Sequence, residues 1–198
     1  MDDVRFSHAV AAFDRISTED PALDAAGRPK ELVQKEHLVR WVLALRPAPS
    51  DALLLAAHCQ HVGRHKTPRS SYPEGRAGYL RWRTESSRRH ADIAEGVLAQ
   101  EGFEPDLIRR VRAIVEKRNL GRDEEVQVME DALCLAFLET EFAEFAERHE
   151  DDKLLVILRK TWKKMSEEAR QRALQLPFSG RAATLLTQAL TPESSPPA

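Results

Sequence analysis

The feature that most restricts what this chain can fold into is the spacing of its apolar residues, which recur at intervals of three and four along nearly its whole length. That period puts them on one face of a helix, whereas a half-buried strand would need alternation with a period of two. Glycine, which weakens helices, occurs only 8 times in 198 residues, and β-branched runs with alternating polarity are nearly absent. The pattern predicts an all-α fold with helices near 4–16, 29–45, 50–64, 75–100, 104–118, 124–149, 151–164, 166–175 and 179–190. Pro21 and Gly27, the stretch Arg46-Pro47-Ala48-Pro49-Ser50, the pair Pro68 and Pro73, and Gly102, Gly121 and Pro177 punctuate them, and Ser50 is placed to cap the third helix. The expected organisation is a single helical domain over residues 1–190 and a disordered Pro- and Ser-rich tail over 191–198.

With 42% hydrophobic and 31% charged residues, the composition is that of a globular chain and excludes an intrinsically disordered one. No apolar run approaches the roughly 18 to 20 residues of a membrane span, and Met1-Asp2-Asp3 lacks the basic start of a signal peptide, so no membrane partner and a cytoplasmic location are expected. Cys59 and Cys134 show no C-x-x-C spacing and read as buried free thiols. The net charge of −2 hides a polarised distribution. Residues 58–90 carry eight Lys or Arg against two Glu, whereas residues 121–152 carry two Arg against twelve Asp or Glu.

The informative residues are polar ones on apolar stripes, because a buried imidazole or carboxylate needs a partner. His37 follows Val33 by four, and Glu36 follows Leu32 by four, so either could face inward. His58, His61 and His65 follow Leu54 at helical spacing, and Tyr79, Arg83, Ser86 and His90 form a stripe that continues into Ala94 and Val97. Glu130 and Asp131 open the apolar run Ala132 to Leu138. Neutral imidazoles and ionised carboxylates together suit iron, manganese or zinc, so His61, His90 and Asp131, with His37 or Glu36, are candidate ligands of a single divalent metal. Arg64, Lys66, Arg69, Arg81 and Arg83 lie in the segment that carries the histidines and could hold a phosphate, while Tyr79 could stack a nucleobase. His8 and His149 read as surface residues.

The segment Ala56-Ala57-His58-Cys59-Gln60-His61-Val62-Gly63-Arg64 resembles the central motif of the HD superfamily, with Gln60-His61 where that family carries His-Asp. His37 upstream and Asp131 downstream occupy positions for the family's remaining ligands. The chain as a whole resembles domain-of-unknown-function family 4202, a bacterial and fungal group without a settled activity. The residues that carry the likeness are Gln60-His61, Pro68 to Pro73, Arg76 to Arg83, Glu130-Asp131 and Leu158-Arg159-Lys160-Thr161-Trp162.

The HD resemblance implies an HD-like helical bundle and metal-dependent hydrolysis of a small phosphorylated molecule such as a nucleotide. Asp131, Glu130 and Arg83 are then the expected catalytic residues. Loss of the Asp that bridges two ions favours one metal or none. Two alternatives stand beside it. One is a non-catalytic HD-like ligand-binding or interaction domain, in which these groups satisfy one another. The other is a nucleic-acid-binding module built on Tyr79-Leu80-Arg81-Trp82-Arg83 and Arg88-Arg89, against which the acidic stretch weighs.

Overall fold

The computed structural model describes residues 3–191, and among these the chain is all-α, its sole extended pairing being a single bridge between Leu23 and Pro29. The residues group into two compact units that divide between Met129 and Glu130. The tail expected at 191–198 lies, from residue 192 onward, outside the described residues.

The first unit contains α1 (Asp3–Thr18), α2 (Lys30–Leu45), α3 (Asp51–Cys59), α4 (Gly75–Gln100), α5 (Pro105–Val115) and the start of α6 (Glu124–Thr140). Nine residues make α3 the shortest of these, yet it packs on α1, α2, α4 and α5. The reason is in its sequence, since Ala52, Leu53, Leu55, Ala56, Ala57 and Cys59 are buried around most of its circumference. Ser50 caps it as expected, its hydroxyl accepting from the Leu53 amide at 3.1 Å. The helix ends at Cys59, not near 64, and two short 3-10 turns at Arg64–Lys66 and Arg69–Ser71 lead to α4. Gly63 makes that exit possible, with φ at +68° in the left-handed region.

No side chain of its own caps α2, whose N-cap is Pro29. Asp20 does so from the preceding loop, accepting from the Glu31 amide at 3.1 Å and the Ala22 amide at 3.0 Å. At the other end of the unit, Asp123 accepts from the Glu125 and Val126 amides that begin α6. Its carboxyl is held down at about 2, chiefly by the hydrogen-bonded Arg110 guanidinium of α5.

The second unit holds the remainder of α6 with α7 (Phe142–Glu147), α8 (Asp151–Lys164), α9 (Glu167–Ala173) and α10 (Gly180–Leu190), and α10 packs against α7 and α8. The helix expected at 124–149 is broken at Glu141, directly after Thr140 turns its hydroxyl onto the Ala136 carbonyl at 2.8 Å. Such back-bonding competes with the helical ladder and bends it. Phe137, Phe142, Phe145 and Phe178 pack edge to face across this break. Cys59 and Cys134 are free and buried. Among the described residues no helix is long and apolar enough to cross a membrane.

Candidate functional site

The residues after α3 do not continue one histidine-bearing face. Leaving the helix at Cys59 sends His58, His61 and His65 into three different surroundings. His58 stays on α3 with its ring edge-on to Phe6 at 5.9 Å, and burial presses it down to about 4, helped by the nearby Lys35. His65 turns to Glu31, the buried carboxylate at the start of α2. His61 turns to His90 of α4, the ring centroids lying 6.1 Å apart.

Glu31 organises the exit. Only 4% exposed, it accepts from the Gly63 amide at 3.1 Å, the His65 amide at 2.6 Å and the His65 ring Nδ1 at 2.8 Å. Two backbone amides and one ring nitrogen of the turn that follows His61 thus converge on one carboxylate. This is the buried acid that the sequence places one helical turn too late. Glu36 is exposed and pairs with Arg28 at 3.0 Å, and His37 lies beside Arg40 at 3.3 Å.

Around the imidazole pair, the polar groups have a defined polarity. His90 is buried, and its Nδ1 lies 2.8 Å from the Val62 carbonyl, which can only accept, so Nδ1 carries the proton and Nε2 the lone pair. Burial holds His90 down to about 4. The His61 ring is pushed well below its ordinary value, first by burial and then by electrostatic interaction with Arg64, His90 and Lys117. Gln60 donates its amide nitrogen to the Val115 carbonyl at 3.3 Å, which fixes the orientation of the amide. Its Oε1 and the Ser86 hydroxyl, one turn before His90, are buried without a hydrogen-bond partner. Unpartnered buried polar atoms are costly and rare in folded proteins.

Of the metal ligands expected from sequence, His61 and His90 are brought together, while Glu36 pairs with Arg28 and His37 lies beside Arg40. Asp131 belongs to the second unit, where it accepts from the Ser166 amide at 2.9 Å, and Glu130 beside it pairs with Lys164 at 3.3 Å. Among the described residues no three His, Cys, Asp or Glu side chains stand where they could hold one ion. The imidazole pair is the part of the expected donor set that the first unit brings together.

The expected phosphate-holding residues divide. Arg64 lies over the Trp82 ring at 5.2 Å, beside the imidazoles. Lys66 is drawn off to Glu19 at 2.8 Å and Arg81 to Glu85 at 2.7 Å. Arg69 is consumed by its own loop, donating to the carbonyls of Tyr72, Pro73 and Gly75. Tyr79 and Arg83 are exposed on the N-terminal half of α4, so Arg83 does not point into a pocket with His90. Lys117, which no motif marked, enters through a left-handed residue at the end of α5, with φ at +56°.

These features define an all-helical protein in which the buried His90 meets the half-buried His61. The chain belongs to the family described as Domain of unknown function (DUF4202), which it matches over residues 7–186. No curated protein and no solved structure matches it.

Proposed function

We propose that this chain binds a small phosphorylated molecule, such as a nucleotide, at the His61–His90 pair. The observation that carries the reading is that Gln60 Oε1 and Ser86 Oγ, on the segments that bring His61 and His90 together, are buried with no hydrogen-bond partner among the described residues, while Arg64 and Lys117 would offer guanidinium and ammonium groups to a phosphate. Gln60 Oε1, Ser86 Oγ and the His90 Nε2 lone pair would meet hydroxyl or amino groups on the rest of the ligand. Both unpartnered oxygens are sealed from solvent, so the ligand reaches them only as the wall around them opens. The likeness of Ala56 to Arg64 to the HD motif supports the same class of ligand.

Hydrolysis in the HD manner would draw on an iron, manganese or zinc ion to lower the pKa of a water. Among the described residues no third His, Cys, Asp or Glu joins His61 and His90 to hold such an ion, and no hydrolytic step is placed on them.

The test is calorimetric titration of the full chain with nucleotides and sugar phosphates, in parallel with phosphate release assayed with and without manganese, iron(II) or zinc. Binding without turnover, weakened about tenfold or more in Arg64→Ala, is expected, since a hydrogen bond to a charged group contributes about 1.5–3 kcal/mol. No binding across the panel would overturn the reading. Metal-dependent phosphate release abolished in His61→Ala would restore the hydrolase.

A further inference from the structure

The core-facing stripe of α4 does not stop where its cover stops. Ser86, His90, Ala94 and Leu98 are buried along one face of the helix. At 100° per residue the same stripe continues toward the N-terminus through Arg83, Leu80, Tyr79 and Arg76. There it is bare. Tyr79 is 45% and Leu80 47% exposed, and Arg76 and Arg83 are exposed as well. Arg76, Arg83 and the flanking Arg88 make no ion pair or hydrogen bond with any described residue. The acids in the same stretch do little to neutralise them. Glu85 is engaged by Arg81 and Tyr72, which leaves Glu74, at the helix N-cap.

We infer that this uncovered face of α4 binds single-stranded nucleic acid. Arg76 and Arg83 stand two turns apart, about 10 Å along the axis, with Tyr79 and Leu80 between them. An exposed ring between unpaired guanidinium groups offers a stacking platform for a base and contacts for the phosphates on either side of it. Trp82 backs the platform, its centroid 5.9 Å from that of Tyr79, and is itself fixed by donating to the Thr67 carbonyl at 2.9 Å. The ring pair is therefore held in place before any strand arrives. An acidic peptide would satisfy the arginines but would leave the ring face unused. Much of the acidic run, from Glu130 onward, belongs to the second unit and is not part of this helix.

The experiment is fluorescence anisotropy of a labelled twelve-residue oligouridylate with the full chain, titrated across a range of salt. Two phosphate contacts, at Arg76 and Arg83, give a slope of log K against log salt of about −1.4, because each contact to a single strand contributes about −0.7. Arg83→Ala should reduce that slope by about 0.7, and Tyr79→Ala should weaken binding about fivefold or more at fixed salt. Both side chains are exposed, so the melting midpoint of each variant should match that of the parent. The inference is overturned by no binding at low salt, or by affinities unchanged in both variants. It is equally overturned if a polyglutamate peptide displaces the oligonucleotide at equal concentration of charge and binds Tyr79→Ala as well as it binds the parent.

Discussion

Replacing Glu31 by glutamine should unfold the turn that follows His61, and the hydrogen bonds there set the size of the effect. The carboxylate accepts from the Gly63 amide through one oxygen and from both the amide and the ring of His65 through the other. Glutamine keeps one accepting oxygen and sets an NH2 in the other's place. In its better orientation it retains both His65 contacts and turns a donor toward the Gly63 donor. One buried N–H then lacks an acceptor, at about 1–3 kcal/mol, and two charge-assisted bonds become ordinary ones, each weaker by about 1 kcal/mol. The expected loss is about 3–5 kcal/mol, or roughly 6–20 °C in melting midpoint for a chain of this size. Thermal and urea denaturation followed by far-UV circular dichroism measures it. Glu36→Gln is the control, because the exposed Glu36–Arg28 pair should contribute less than about 0.5 kcal/mol. Equal effects of the two substitutions, or a Glu31→Gln loss below about 0.5 kcal/mol, would refute the assignment of Glu31 as the buried acid.

Acid should destabilise the fold in a defined window. His58 and His90 are pressed from 6.5 down to about 4 in the folded chain, so the unfolded chain binds protons first and stability falls as pH drops from about 6.5 to 4, by up to roughly 3 kcal/mol for each group. Urea midpoints across that range check it, and a flat profile would contradict the burial of these rings. Gly63→Ala should lower stability by about 1–2 kcal/mol, the cost of a left-handed alanine, with a further small shift because its Cβ would lie 2.9 Å from the mobile end of Ile93. Unchanged stability by urea denaturation would show that the turn can reroute.

Periodicity carried most of the fold because it reports which residues can share a buried face, and the Ser50 cap was legible because its chemistry is local. The acid of α2 was harder. Glu36 and His37 follow Leu32 and Val33, but those two are only half-buried, and the face that reaches the core carries Leu38, Trp41 and Val42. Glu31 lies on that stripe, seven residues before Leu38 and eleven before Val42, so the signal was present in the spacing. Arg83 shows the converse. It shares a helical stripe with Ser86 and His90 but is exposed, because periodicity gives the direction of a side chain and says nothing of where the neighbouring helices end. The partners of His61, His65 and Asp131 depend on contacts between distant segments, which no local pattern encodes.

Gly78 has a meaning for the comparison of related chains. A Cβ built there would lie 1.9 Å from the Pro73 carbonyl oxygen, on backbone that cannot swing aside, and Arg69 holds that same carbonyl from the other side at 2.9 Å. The loop path between residues 68 and 75 and the absence of a side chain at 78 are therefore one inherited unit. A family member with any larger residue at this position must have rebuilt the loop, and with it the footing of Trp82 and the exposed arginines. Position 78 thus sorts relatives that share this surface from those that share only the helices.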